Sequence, residues 1–97
     1  MHSRHAVLKI TIRTDAATII FELEGTLSGA WVDELRDCWR KNAGSEPSAR
    51  VMVCGVTFID DKGKALLTEM HHQGATLVAE GCMNKAIVEE IRQRREH

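Results

Sequence analysis

From Val7 to Arg13 the chain alternates, with Leu8, Ile10 and Ile12 on one side and Lys9, Thr11 and Arg13 on the other. A period of two with one apolar side predicts a half-buried strand. After a turn signal at Thr14 and Asp15, a second alternation sets Ile19, Phe21 and Leu23 inward against Thr18, Glu22 and Glu24. The two segments predict an antiparallel hairpin. Gly25 to Gly29 breaks that pattern, and from Ala30 to Asn42 the period becomes helical. Trp31, Val32, Leu35, Cys38 and Trp39 form one stripe, opposite Asp33, Glu34, Arg36, Asp37, Arg40 and Lys41, so this helix lies on a core with a wet outer face.

Gly44, Ser45, Glu46 and Pro47 predict a surface loop. Val51 to Cys54 is continuously apolar and rich in valine, the pattern of a central strand covered on both sides, and its carboxyl end runs into Gly55. A second helix is predicted over Asp61 to His72, with Gly63, Leu66, Leu67 and Met70 inward and Gly74 placed to end it. Thr76 to Ala79 predicts a fourth strand. Gly81 turns the chain, and Asn84 caps a last helix that carries Ile87, Val88 and Ile91 inward. The order β-β-α-β-α-β-α implies an α/β fold around a mostly parallel mixed sheet with right-handed crossovers. Both early strands keep a polar side, which places the helices mainly on one face of the sheet. The pattern forms a single domain over residues 1–97, with its core at about 7–93.

Composition narrows the function more by exclusion than by assignment. Thirteen basic and 14 acidic side chains give a net charge of −1, so no strong field favours nucleic acid or a membrane surface. Arg92, Arg94 and Arg95 are offset by Glu89, Glu90 and Glu96, the pattern of a solvated helix end. Met1 to His5 lacks the apolar core of a secretory signal, and no run approaches the roughly 20 apolar residues of a membrane helix. A cytoplasmic location without membrane insertion is expected. Cys38, Cys54 and Cys82 are odd in number and lack CxxC spacing, which argues against a disulfide framework and a zinc site.

Catalytic chemistry finds little support. Cys82 sits at a strand-to-helix turn, where amides and a helix dipole can lower a thiol pKa, but the arginine that a cysteine phosphatase places six residues on is Val88 here. Adjacent His71 and His72 point about 100° apart on a helix and cannot share a metal as an i, i+4 pair could. Asp60 and Asp61 lack the acidic pair that a phosphorelay receiver carries at the end of its first strand, which here ends in Arg13. No glycine-rich nucleotide loop occurs. No catalytic residue, metal ligand or cofactor is therefore assigned, and the chain is expected not to be an enzyme.

The remaining segment is Val56, Thr57, Phe58, Ile59, Asp60, Asp61, Lys62 and Gly63, expected as a strand-to-helix turn. In open parallel sheets, partners meet the crevice outside the carboxyl ends of the strands, where this turn lies. A purely structural role also fits, with Phe58 and Ile59 plugging the core and Asp60 or Asp61 capping the second helix.

Across nearly its whole length the chain resembles the STAS domain, the family of anti-sigma factor antagonists that is also appended to sulfate transporters and found in lipid-trafficking transport systems. The resemblance is carried by Leu23, Gly25 and Leu27, by Trp31 to Leu35, and above all by Gly55 to Gly63, GVTFIDDKG. The family pattern there is an apolar stretch followed by Asp-Ser-Ser-Gly, so Asp60 matches its aspartate and Gly63 its glycine. In signalling members a kinase that doubles as the anti-sigma factor phosphorylates the serine after the aspartate and so releases the partner. That position is Asp61, which has no hydroxyl and offers a charge of about −1 against −1.5 to −2 for phosphoserine. Lys62 departs from the small residue usual there and is placed to pair with Asp61 or with a partner's acid, while Thr57 is the nearest hydroxyl. The resemblance implies a regulatory protein-binding module, with Thr57, Asp60, Asp61, Lys62 and Gly63 as its partner-binding turn and no serine phosphoswitch. It implies an anti-sigma factor or kinase-like ATPase as partner, or alternatively a transporter subunit that a small STAS component would brace.

Overall fold

A computed structural model describes residues 7–42, 48–79 and 85–94. Its elements are β1 (Leu8–Asp15), β2 (Thr18–Leu27), α1 (Ala30–Asn42), β3 (Ser48–Ile59), α2 (Asp61–His72), β4 (Thr76–Val78) and α3 (Lys85–Arg94). The four strands form one sheet in the order β1-β2-β3-β4. β1 runs antiparallel to β2, whereas β2–β3 and β3–β4 are parallel, so the mixed sheet and the element order match the expectation. The loop at Gly44–Pro47, the turn at Gly81, Cys82 and the cap at Asn84 lie outside the described residues.

Register explains the core. Phe21 lies beside Val51, and Val51 beside Leu77, so one fully buried row crosses three strands. Val32, Leu35 and Trp39 of α1, Leu66, Leu67 and Met70 of α2, and Val88 and Ile91 of α3 close over the same face in a single cluster. The apolar stripe of each helix is thereby removed from water, which is the main source of its stability. The Trp39 indole stacks obliquely on Phe21 at 5.5 Å and donates its Nε1–H to Gln73 Oε1 at 2.8 Å, tying α1 to the end of α2. At that end Ala75 N donates to Met70 O and Gly74 N to His71 O, with Gly74 at φ 109°. This pair of bonds, closed by a glycine in the left-handed region, stops the helix where expected. Among the described residues no helix is long and apolar enough to cross a membrane.

Three local features differ from the sequence reading. β3 is twelve residues long, so the segment from Gly55 to Ile59 continues the strand instead of turning. It is also covered on one face only, with Val51 and Val53 buried but Met52 half-buried and Cys54 exposed. A short valine-rich run looks alike in either setting, and here the second face is left to solvent. In β1, burial fades from Leu8 to Ile12, which is 38% exposed, because an edge strand has a neighbour on one side only. Ala16 takes φ 55° in the two-residue hairpin turn between Asp15 and Thr18, a position glycine usually fills.

Candidate functional site

The carboxyl ends of β2 and β3 deliver two helix starts to the same place. Ser28 and Gly29 open α1, their carbonyls accepting from Trp31 N and Val32 N at 3.1 Å each. Asp60 leaves β3 in extended geometry, with φ −88° and ψ −175°, and caps α2. Its Oδ1 accepts from Gly63 N at 2.8 Å, and its Oδ2 accepts from Gly29 N at 3.1 Å. One carboxylate therefore holds the first turns of both helices. Its own N–H donates to Leu27 O at 3.2 Å, and its carbonyl accepts from Lys64 N at 2.9 Å, so the residue is fixed at every polar atom.

The electrostatics follow from that geometry. The Gly63 amide, supported by the Gly29 amide and by the charge and amide of Lys62, holds the Asp60 carboxyl below its ordinary value, against an opposing effect of partial burial. Gly63 is glycine for a steric reason. A Cβ there would lie 2.5 Å from Leu27 O and 2.9 Å from Leu27 Cγ, so the first turn of α2 packs directly on the end of β2. Asp60 and Gly63 thus set the shape of the turn.

Asp61 and Lys62 are exposed, and neither side chain forms a hydrogen bond or an ion pair among the described residues. Lys62 does not pair with Asp61, although its charge acts on Asp60. Thr57 is exposed and uses its hydroxyl to donate to Gly25 O at 3.1 Å, bracing β3 against β2.

Phe58 is the largest departure. Expected as a core plug, it is 56% exposed. The β2–β3 pairing shifts register between Gly25 and Thr26, so Val56 pairs with Gly25 while Phe58, two residues on, pairs with Thr26. A one-residue slip reverses which side chains face the core. Val56 is buried and Ile59 packs against the core, and Phe58 is turned out. Thr26 N also donates to Val7 O at 3.0 Å, so Val7, 49% exposed, shares this cross-sheet row with Phe58. Residue types carry no signal for such a slip, which is why the sequence reading places Phe58 in the core beside Ile59.

The other candidates do not gather into a site. The His71 and His72 rings lie 6.4 Å apart, and His71 Nδ1 lies 3.4 Å from Ala75 O. Among the described residues no group of three His, Cys, Asp or Glu side chains is placed to hold a metal.

No protein-family model matches the chain, and no curated protein matches it in sequence. Among solved structures it is similar to the crystal structure of an anti-sigma factor antagonist from Mycobacterium paratuberculosis, with a TM-score of 0.75 and 14% identity over 92% of this chain and 82% of that one. The fold is that of an anti-sigma factor antagonist. At so low an identity the likeness lies in the backbone, and it agrees with the STAS resemblance carried by GVTFIDDKG. Within this STAS fold, the segment from Thr57 to Gly63, the end of β3 and the start of α2, separates into residues that hold the fold and residues that face solvent.

Proposed function

We propose that the chain is a non-enzymatic regulatory module of the anti-sigma factor antagonist kind, acting in the cytoplasm, which presents the rim of the β3–α2 turn to a protein partner. The observation that carries this reading is the division of labour between adjacent aspartates. Asp60 spends both carboxylate oxygens on Gly63 and Gly29, whereas Asp61 and Lys62 stand exposed beside it with no side-chain partner among the described residues. Asp61, Lys62 and Thr57 make the contacts, and Asp60 and Gly63 hold the turn in shape for them. An exposed aromatic at the same edge, Phe58, supplies the apolar area that interface anchors typically provide. The partner class suggested by the fold and by the resemblance is an anti-sigma factor of the kinase-like ATPase type.

In this reading binding is constitutive with respect to serine phosphorylation, because Asp61 has no hydroxyl to accept a phosphoryl group. Its single negative charge is a partial mimic of a phosphoserine. The test is affinity for a partner recovered from native extract and then purified, measured with Asp61→Arg and Asp61→Ser. Charge reversal at the rim is expected to weaken binding by roughly tenfold or more. Unchanged affinity in both variants overturns the proposal.

A further inference from the structure

The two edges of the sheet are managed differently. β4 is only three residues long, and the Arg92 guanidinium of α3 donates to Leu77 O at 2.9 Å, so its central carbonyl is already occupied. β1 is eight residues long, contains no proline or glycine, and keeps an unbroken register with β2 from Leu8 to Asp15. Among the described residues no strand pairs with its other side. A long, regular, open edge is a template for another strand.

Hydrogen-bond phase decides which groups that edge presents. Thr26 N donates to Val7 O, and a two-residue turn joins the facing pair Asp15 and Thr18. In an antiparallel ladder, residues alternate between pairs that exchange hydrogen bonds and pairs that do not. Val7, Lys9, Thr11, Arg13 and Asp15 therefore direct their amides and carbonyls toward β2. Leu8, Ile10, Ile12 and Thr14 direct theirs outward.

From this edge we infer that the chain forms a two-fold dimer by antiparallel pairing of β1 with β1 of a second copy, centred on Ile12. In that register Ile12 meets its own copy and exchanges backbone hydrogen bonds with it, and Ile10 pairs with Thr14. On the solvent face of the sheet, Thr11 lies opposite Arg13 and Lys9 opposite Asp15, each twice by symmetry. Charge complementarity selects this register. Centring on Thr11 would set Lys9 against Arg13 twice, and like charges directly opposite are destabilising. Among the described residues Lys9 and Asp15 form no ion pair, and Ile12 has more than a third of its surface still to bury. The interface is isologous and closes at two copies, joining two four-stranded sheets into one.

Sedimentation equilibrium of the full chain across roughly 1 μM to 1 mM tests the inference, a range that brackets weak to moderate self-association. A reversible monomer–dimer equilibrium is expected. Lys9→Asp and Asp15→Lys should each weaken it roughly tenfold, since each places two like-charged pairs in the ladder, and the double exchange should restore it. Ile12→Pro should abolish the dimer while leaving the circular dichroism unchanged, because the N–H it removes does not serve β2. Should that variant lose its fold, the charge exchange decides alone. A chain that stays monomeric throughout, a dimer indifferent to the single exchanges, or a double exchange that fails to restore association overturns the inference.

Discussion

The inner and outer halves of the β3–α2 turn each hold one aspartate of an adjacent pair and put it to opposite work. On the inner half, Asp60 and Gly63 are determined by the backbone around them: one accepts from two helix starts, and the other leaves room for Leu27 O. On the outer half, Asp61 and Lys62 are exposed with no side-chain partner among the described residues, and Phe58 is more than half exposed. An acidic pair in a sequence is thus not one functional unit. The residue whose polar atoms are already filled explains the fold, and its neighbour is the one that the proposed function sets against a partner.

The sharpest way to break this contrast is Gly63→Ala. The added methyl meets a backbone oxygen that cannot rotate away, so about 2–3 kcal/mol of stability should be lost. Thermal denaturation should show the midpoint falling by more than about 10 °C. An unchanged midpoint would mean that α2 does not sit against β2 as described. Asp60→Ala should come next, lowering the midpoint by roughly 5 °C through loss of the cap on α2 and of the link to α1. Its pH dependence has a definite sign. Because the folded carboxyl is held below the ordinary value of 3.8, its stabilisation is fully present above that pH. It disappears as pH falls from there through the lowered folded value. Wild type and Asp60→Ala should therefore differ in midpoint at neutral pH and converge in strong acid, as acid titrations followed by circular dichroism will show.

On the outer half, Asp61→Arg should cost less than about 1 kcal/mol, the size of an unfavourable charge at an exposed helix start, even though the proposed function expects it to weaken partner binding. A large loss of stability would place Asp61 with the inner half. The smallest effect is expected far from the turn, at Ala16. Replacing it with glycine relieves the positive φ and should raise stability by about 0.5 kcal/mol, net of the greater chain entropy glycine brings to the unfolded state.

The helices were the most legible part of the fold. Ala30–Asn42 and Asp61–His72 follow from a 3.6-residue period bounded by caps and glycines, signals that are local in the chain. The pairing of Asp60 with the start of α2 was legible for the same reason. Its bond to Gly29 was not, because those residues are 31 apart in sequence and only the β2–β3 crossover brings them together. The sequence pattern predicts a shorter β3 buried on two faces, since valines at Val51 and Val53 look the same whether or not a helix covers the far side. Phe58 was misplaced for the most specific reason. The β2–β3 pairing shifts register twice, after Glu22 and after Gly25, and each shift reverses facing without any change in composition, so the exposure of Phe58 is a property of the pairing between two strands and not of either one alone.

The most direct test is an amide NMR perturbation map of the full chain, recorded while adding the purified partner recovered from native extract. The largest shifts are expected at Thr57, Phe58, Asp61 and Lys62, with smaller ones spreading into the first turn of α2. Perturbations confined to the uncovered face of the sheet around Arg50, Met52 and Thr76, with the turn unmoved, would contradict the assignment of this rim as the binding surface.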